Sequence, residues 1–149
     1  MASTFTNLLF HLVFSTKDRA PLLTEGLQDR LYTYLGGIVR DEGGALLSAG
    51  GMPDHVHLLT RFKADTSVSE MVRRIKANSS RWLHQEPAAR HFAWQTGYGA
   101  FSVSESQRDS VKRYIQGQKE HHARLSFREE LIALLERHGI AYDERYLLG

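Results

Sequence analysis

At 149 residues the chain has room for one compact domain (1–149) and needs neither a disulfide nor a structural metal to fold. Its composition, 42% hydrophobic and 24% charged, is that of a globular protein, and the lack of cysteine excludes disulfide scaffolds, thiolate zinc sites and cysteine nucleophiles. The net charge of +2 is uneven: residues 61–124 carry twelve Lys/Arg against six Asp/Glu, a basic middle that suits a polyanionic partner or a solvated helix face. No apolar run approaches the ~20 residues of a membrane span, and the N-terminus lacks the order of a signal peptide. A soluble, cytoplasmic protein is expected.

In chain order, Asn7–Thr16 is rich in Leu, Phe and Val and predicts a buried strand. A helix follows from about Thr24 to Asp41, with Leu27, Leu31, Tyr34, Leu35 and Ile38 at the helical period and Gly43-Gly44 ending it. Ala45–Ser48 and His55–Phe62 predict two strands, or one interrupted around Gly50-Gly51 and Pro53. Ser67 and Glu70 open a second helix as a capping-box pattern. Its stripe is Val68, Met71, Val72, Ile75, Ser79 and Trp82, and Pro87 marks its end.

Phe92–Gln95 and Tyr98–Val103 predict further strand material around a Gly97–Gly99 turn. A third helix, capped by Ser104 with Gln107, is expected to run to about His122. A fourth, capped by Ser126 with Glu129, carries Phe127, Leu131, Leu134 and Leu135, and an irregular tail occupies 139–149. Strands mixed with helices in this order predict an α+β sandwich: an antiparallel sheet with helices packed on it, on a ferredoxin-like plan.

Two segments could carry chemistry. In a strand, His55 and His57 point to one face while Val56 and Leu58 point to the other, and two imidazoles side by side can hold a divalent metal. A lone His-x-His is a weak signal, and two surface or core histidines are its commoner meaning. Within the third helix, the four-residue spacing of Tyr114 and Gln118 places them on one face. A core tyrosine with a bonded hydroxyl would account for Tyr114. Gln118, however, must be satisfied by something on that inward stripe, and a metal ion is one such partner. Lys112, Arg113 and Lys119 flank the tyrosine and suit a phosphate or plain solvent. His121 and His122 compete for the metal role, His122 sharing the Gln118 face and ranking below it as a ligand, but both read rather as polar helix-end residues, while His11 reads as a satisfied core or near-site histidine.

Taken together, four stretches resemble the single-tyrosine transposases of the insertion-sequence 200/605 type, within the HUH nuclease superfamily. They are Gly51–Leu59, Trp94–Ser104, Tyr114–His122 and Tyr142–Leu147, in family order and spacing over nearly the whole chain. The resemblance implies the ferredoxin-like fold and a homodimer whose active sites combine parts of both subunits. It also implies His55, His57 and Gln118 as metal ligands and Tyr114 as the nucleophile, with Asp54 and His122 as candidates for the surrounding shell. Mg²⁺ or Mn²⁺ is the implied cofactor, two imidazoles leaning towards Mn²⁺.

The implied substrate is single-stranded DNA with hairpins, cut to leave a 5′-phosphotyrosine and a free 3′-hydroxyl. Because the covalent link stores the phosphodiester energy, no nucleotide cofactor is needed. Arg73, Arg74, Lys76, Arg81, Lys112 and Lys119 are the candidate DNA contacts. Tyr98, Phe101 and Trp94 could stack bases, with at least two of them expected in the core. Rival readings are a domesticated relative that processes repeated chromosomal hairpins and a non-catalytic single-strand-binding module.

Overall fold

The structure is a computed structural model that describes residues 3–147, so both ends of the expected domain 1–149, including Leu148 and Gly149 of the tail, lie outside the described residues. Four strands, β1 (Leu8–Ser15), β2 (Ala45–Met52), β3 (His55–Phe62) and β4 (Gly99–Val103), form one sheet in the order β2-β3-β1-β4. All three pairings are antiparallel. With α1 (Glu25–Asp41) between β1 and β2, and α2 (Val68–Leu83) between β3 and β4, this is the expected α+β ferredoxin-like sandwich. Of the two arrangements the sequence allowed for 45–62, the pair of strands is observed: a tight hairpin turns at Pro53-Asp54.

Strand alternation divides the sheet into two unlike faces. Leu12, Phe14, Val56, Leu58 and Phe62 face α1 and α2, joining Leu31, Leu35, Met71 and Ile75 in the main core. The α1 and α2 stripes are buried as their periods predict, except that Val68 and Trp82 are only partly buried and Tyr34 is exposed and stacks on Trp82 (ring centroids 5.1 Å apart, 16° between planes). The other face carries His11, Val13, His55, His57 and Phe101 and lies beneath the C-terminal helices. There, α5 (Phe127–Arg137) packs Phe127, Leu131 and Leu134 against Val13 and Phe101.

Caps formed where the sequence placed them at two helices. Ser67 accepts from the Glu70 amide, and Ser126 with Glu129 makes a complete reciprocal box. The third helix differs. Ser104 caps nothing with its side chain, and a 3₁₀ turn (Glu105–Gln107) leads into α3 (Arg108–Gln116). Gly117 then breaks the run, and a single turn, α4 (Gln118–His121), follows. Glycine is the costliest residue to hold in a helix besides proline, and its amide here is shared between the carbonyls of Arg113 and Tyr114.

Phe92–Gln95 is also not a strand. It makes one bridge, Thr16 with Trp94, because the Ser15 amide is taken by the Gln95 side-chain oxygen, which ends the ladder. Trp94 instead fills the core beside Phe14 and Phe92 and donates its indole hydrogen to Ser79 at 3.0 Å. Among the described residues no helix is long and apolar enough to cross a membrane.

Gly50 governs how close α3 comes. It lies opposite His57 across the β2–β3 ladder, and a Cβ there would collide with the Ile115 carbonyl. Only a glycine lets the backbone of α3 rest directly on β2, and Ile115 is the neighbour of Tyr114.

Candidate metal centre and nucleophile

His55 and His57 are fully buried on β3, on the face turned towards the C-terminal helices. Each ring has one nitrogen engaged behind it. His55 Nδ1 donates to Asp54 Oδ1 at 2.7 Å, and His57 Nδ1 lies 2.8 Å from His11 Nε2. Such partners fix ring orientation and leave Nε2 aimed forward.

The two forward nitrogens meet groups from α4 and α5. His55 Nε2 lies 3.0 Å from Gln118 Oε1, and His57 Nε2 lies 2.9 Å from Glu130 Oε1. His122 Nε2 approaches both oxygens, at 3.1 Å and 3.0 Å. The other oxygen of Glu130 accepts from Gln118 Nε2 at 3.0 Å and from the hydroxyl of Tyr114. Phe127 stacks on the outer side of the His55 ring at 4.4 Å, so the cluster is walled by an aromatic.

Charges follow from these contacts. Burial works against a charged His55, but the hydrogen bonds to Asp54, Glu130 and Gln118 prevail and raise its pKa to about 9. Burial also opposes ionised Asp54, and the bonded, charged His55 overcomes it to hold that carboxyl below its usual range. His57 is pushed down by complete burial, only partly offset by Glu130. His11, buried beside His57, is lowered to about 3 and is neutral. Despite its burial, Glu130 is held far below the usual carboxylate range by the bonds from His55 and His57 and by that from Tyr114. Burial and donation to Glu130 push the Tyr114 phenol upward.

The donor set fits a divalent cation. His55, His122 and Glu130 offer ligand atoms all within 4.8 Å of one another, Gln118 Oε1 lies beside two of them, and His57, outside that group, reaches it through Glu130 Oε1. Imidazole nitrogens with carboxylate and amide oxygens suit Mn²⁺ or a later metal, and the oxygens extend the range towards Mg²⁺.

A profile of the family described as "Transposase IS200 like" matches residues 4–118, a stretch that contains His55, His57, Tyr114 and Gln118. The chain belongs to the IS200-like transposases. Membership makes it an enzyme of the nuclease and strand-transfer class. The ISDra2 transposase TnpA of Deinococcus radiodurans is 28% identical over 117 residues, covering 74% of this IS200-like chain and 84% of its own. A crystal structure from Deinococcus radiodurans R1, described as a transposase, superposes with a TM-score of 0.63 at 27% identity, over 79% of this chain and 95% of that one. The REP-associated tyrosine transposase bound to a REP hairpin shares the fold, with a TM-score of 0.59 at 19% identity over 82% of this chain and 74% of that one.

In this IS200-like chain, the tertiary structure brings together Asp54, His55, His57, Tyr114, Gln118 and His122 as the sequence grouped them. Tyr114 meets the His57 of its own chain, their rings 5.7 Å apart. The proposed DNA contacts of α2 are elsewhere, since α2 packs on the opposite face of the sheet. Arg73 and Arg74 pair with Glu70, and Arg74 also with Glu42 at 2.7 Å. Lys76 is half-buried and donates to the carbonyls of Gln95 (2.9 Å) and Gly97 (2.6 Å), fastening the loop before β4; burial lowers its pKa to about 8. Arg81 is exposed, as are Lys112 and Lys119, the latter paired with Glu25. Trp94 and Phe101 are in the core, and Tyr98 is exposed.

Glu130 was missed by sequence reasoning. The available signal was an acid on the core-facing stripe of α5, three residues after Phe127 and four before Leu134. Beside Tyr114 opens a cavity of about 530 Å³, lined by His11, Phe101, Ser110, Arg137 and His138, with His138 stacked on Phe101 at 4.5 Å.

Proposed function

We infer that this chain cleaves and rejoins hairpin-bearing single-stranded DNA through a covalent bond to Tyr114, with His55, His57 and Gln118 holding Mg²⁺ or Mn²⁺. The observation that carries the reading is convergence. The hydroxyl of Tyr114, His57 Nε2 and the amide Nε2 of Gln118 all meet one buried carboxylate, with His55 Nε2 3.4 Å from it, so nucleophile and candidate ligands share one cluster. The bound cation would supply Lewis-acid polarisation of a non-bridging oxygen on the scissile phosphate.

The protein groups then have distinct tasks. His55, oriented by Asp54, and His57, oriented by His11, present Nε2 to the cation, and Gln118 presents Oε1. The Tyr114 phenol gives up its proton to solvent as its oxygen forms the new bond to phosphorus, the P–O3′ bond breaks in line, and the 3′-oxygen leaves as a hydroxyl after taking a proton from water. The phenol starts protonated, and Glu130 Oε2 stands at its hydrogen. Attack by a 3′-hydroxyl on the phosphotyrosine reverses the step and rejoins a strand. The cavity beside Tyr114, with Arg137 at its wall and the Phe101–His138 stack inside, suits a phosphate and an unpaired base.

Hairpin DNA as substrate draws support from the REP-associated tyrosine transposase, a fold neighbour bound to a REP hairpin. Lys112 and Lys119 lie on the helices that carry Tyr114 and Gln118 and belong to this reading as backbone contacts. Arg73, Arg74, Lys76 and Arg81 would serve a DNA segment crossing the far face. A homodimer acting in the cytoplasm completes the proposal, with light scattering as its check.

The test is incubation with 5′- and 3′-labelled hairpin strands from the flanks of the chain's own gene, with Mn²⁺ or Mg²⁺, resolved on denaturing gels. A protein–DNA adduct on the 5′-phosphate side, absent in Tyr114→Phe and with EDTA, is expected. Hairpin binding without any adduct would leave the non-catalytic module standing. Cleavage confined to repeated chromosomal hairpins would instead favour the domesticated role.

A further inference from the structure

We propose that Glu130 and His122 are additional ligands of the same cation, Glu130 supplying its one anionic oxygen. The inference rests on the metal-dependent reading above and extends it to residues 119–147, beyond the stretch that the family profile matches.

The spacing of atoms argues for it. Two donors on one ion, each at about 2.1 Å, stand roughly 3.0 Å apart at a right angle and roughly 3.4 Å apart at a tetrahedral angle. Glu130 Oε1 lies 2.9 Å from His57 Nε2, 3.0 Å from His122 Nε2 and 3.4 Å from His55 Nε2. Gln118 Oε1 lies 3.0 Å from His55 Nε2 and 3.1 Å from His122 Nε2. The atoms of His55, His122, Glu130 and Gln118 are spaced as the edges of one coordination shell, while His57 Nε2 touches Glu130 Oε1 from outside the 4.8 Å group and would have to close on the ion.

Chemistry argues the same way. Without Glu130 the set of His55, His57 and Gln118 is uncharged when it binds, and a hard divalent cation in a buried site favours an anionic oxygen. Glu130 is only 1% exposed, on a helix face otherwise given to Phe127, Leu131 and Leu134. An isolated carboxylate there would be costly to bury, and imidazoles alone are a poor reason to keep one. Its two oxygens divide the work. Oε1 faces the three imidazoles, while Oε2 is held by Gln118 Nε2 and Tyr114, so the carboxylate that contacts the cation also fixes the nucleophile beside it. His122 Nε2 faces the same oxygen although its residue lies outside the His-x-His pair.

The decisive experiment titrates the full-length chain with Mn²⁺ at fixed pH, following the free-ion spectrum by electron paramagnetic resonance. Wild type should take up Mn²⁺, and Glu130→Gln should bind it at least about tenfold more weakly while keeping its circular dichroism. Glu130→Asp, which keeps the charge one methylene further back, should fall between the two. Pulsed measurements on wild type, where folding is not in question, should count three coordinated imidazoles, dropping to two in His122→Asn. Unchanged or tighter Mn²⁺ binding by Glu130→Gln would overturn the proposal and make the carboxylate a cover over an empty site. A count of two imidazoles in wild type would remove His122. No uptake by wild type would instead sink the metal-dependent reading itself.

Discussion

Tyr114 donates its hydroxyl hydrogen to one oxygen of Glu130, and the other oxygen of that carboxylate lies 2.9 Å from His57 Nε2. Sixteen residues of chain separate the two partners, and the contact ties α3 to α5 across the candidate centre. Tyr114→Phe removes this bond but leaves Glu130 Oε2 its partner in Gln118. Stability should fall by only about 1–2 kcal/mol in denaturant titrations, while DNA adduct formation disappears.

Gly50→Ala should act on the site without touching it. The added methyl meets the Ile115 carbonyl, so α3 must lift from β2, carrying Tyr114 and Gln118 away from His57. A displacement near 1 Å is expected to slow single-turnover cleavage by roughly 100-fold. Unfolding should show a loss of about 1–3 kcal/mol.

His11→Phe keeps a ring in a buried position but removes the partner of His57 Nδ1. With that ring no longer held in one orientation and tautomer, Mn²⁺ affinity should drop about 10- to 100-fold by calorimetry. Asp54→Asn tests the matching contact behind His55 and should produce a loss of similar size.

The metal-free protein should lose stability on the alkaline side. His55 has a folded pKa of about 9, above its unfolded value of about 6.5, so its contribution is complete below pH 6.5 and is lost as pH rises through 9. The bonded Asp54 carboxyl is lowered, so its share of the same pair is present above its unfolded pKa and disappears as pH falls through the folded one. Chemical denaturation in EDTA at about pH 6, 7.5 and 9.5 would show the alkaline decline. Metal uptake has the opposite slope, because His55 must give up its proton to bind. Calorimetry at neutral pH in buffers of different ionisation enthalpy should register release of about one proton.

Lys112→Ala should weaken DNA binding without changing adduct chemistry at saturating protein. If Lys112 contacts a backbone phosphate, the slope of log affinity against log salt should shrink by about 0.7 for a single strand. Arg74→Ala is the useful contrast. Its guanidinium already pairs with Glu70 and Glu42, so its loss should alter stability more than the salt slope.

Much of the fold was legible because its signals are local. The α1 stripe, the Ser67 and Ser126 caps and the strand alternation of His55 and His57 each depend on residues a few positions apart, and each is present. The continuous third helix was not, since its period ran unbroken through Gly117 while the backbone cost fell on that one residue. Phe92–Gln95 had strand composition, but a side-chain bond from Gln95 to the Ser15 amide ended the ladder after one bridge. That α2 and its basic residues pack on the side of the sheet away from the histidines depends on the crossover.

By itself, the sequence determined the kinds and order of elements, the ferredoxin-like plan and the group of His55, His57, Tyr114 and Gln118. Hydrophobic period, capping and side-chain alternation act over short stretches, and motif order carries the family. Only the tertiary structure decided that His11 backs His57 across β1, that Gly50 admits α3, and that Glu130 closes the cluster from α5. Those contacts join residues from 46 to 73 positions apart. Sheet register and helix seating choose which buried polar groups meet, and no local pattern encodes either.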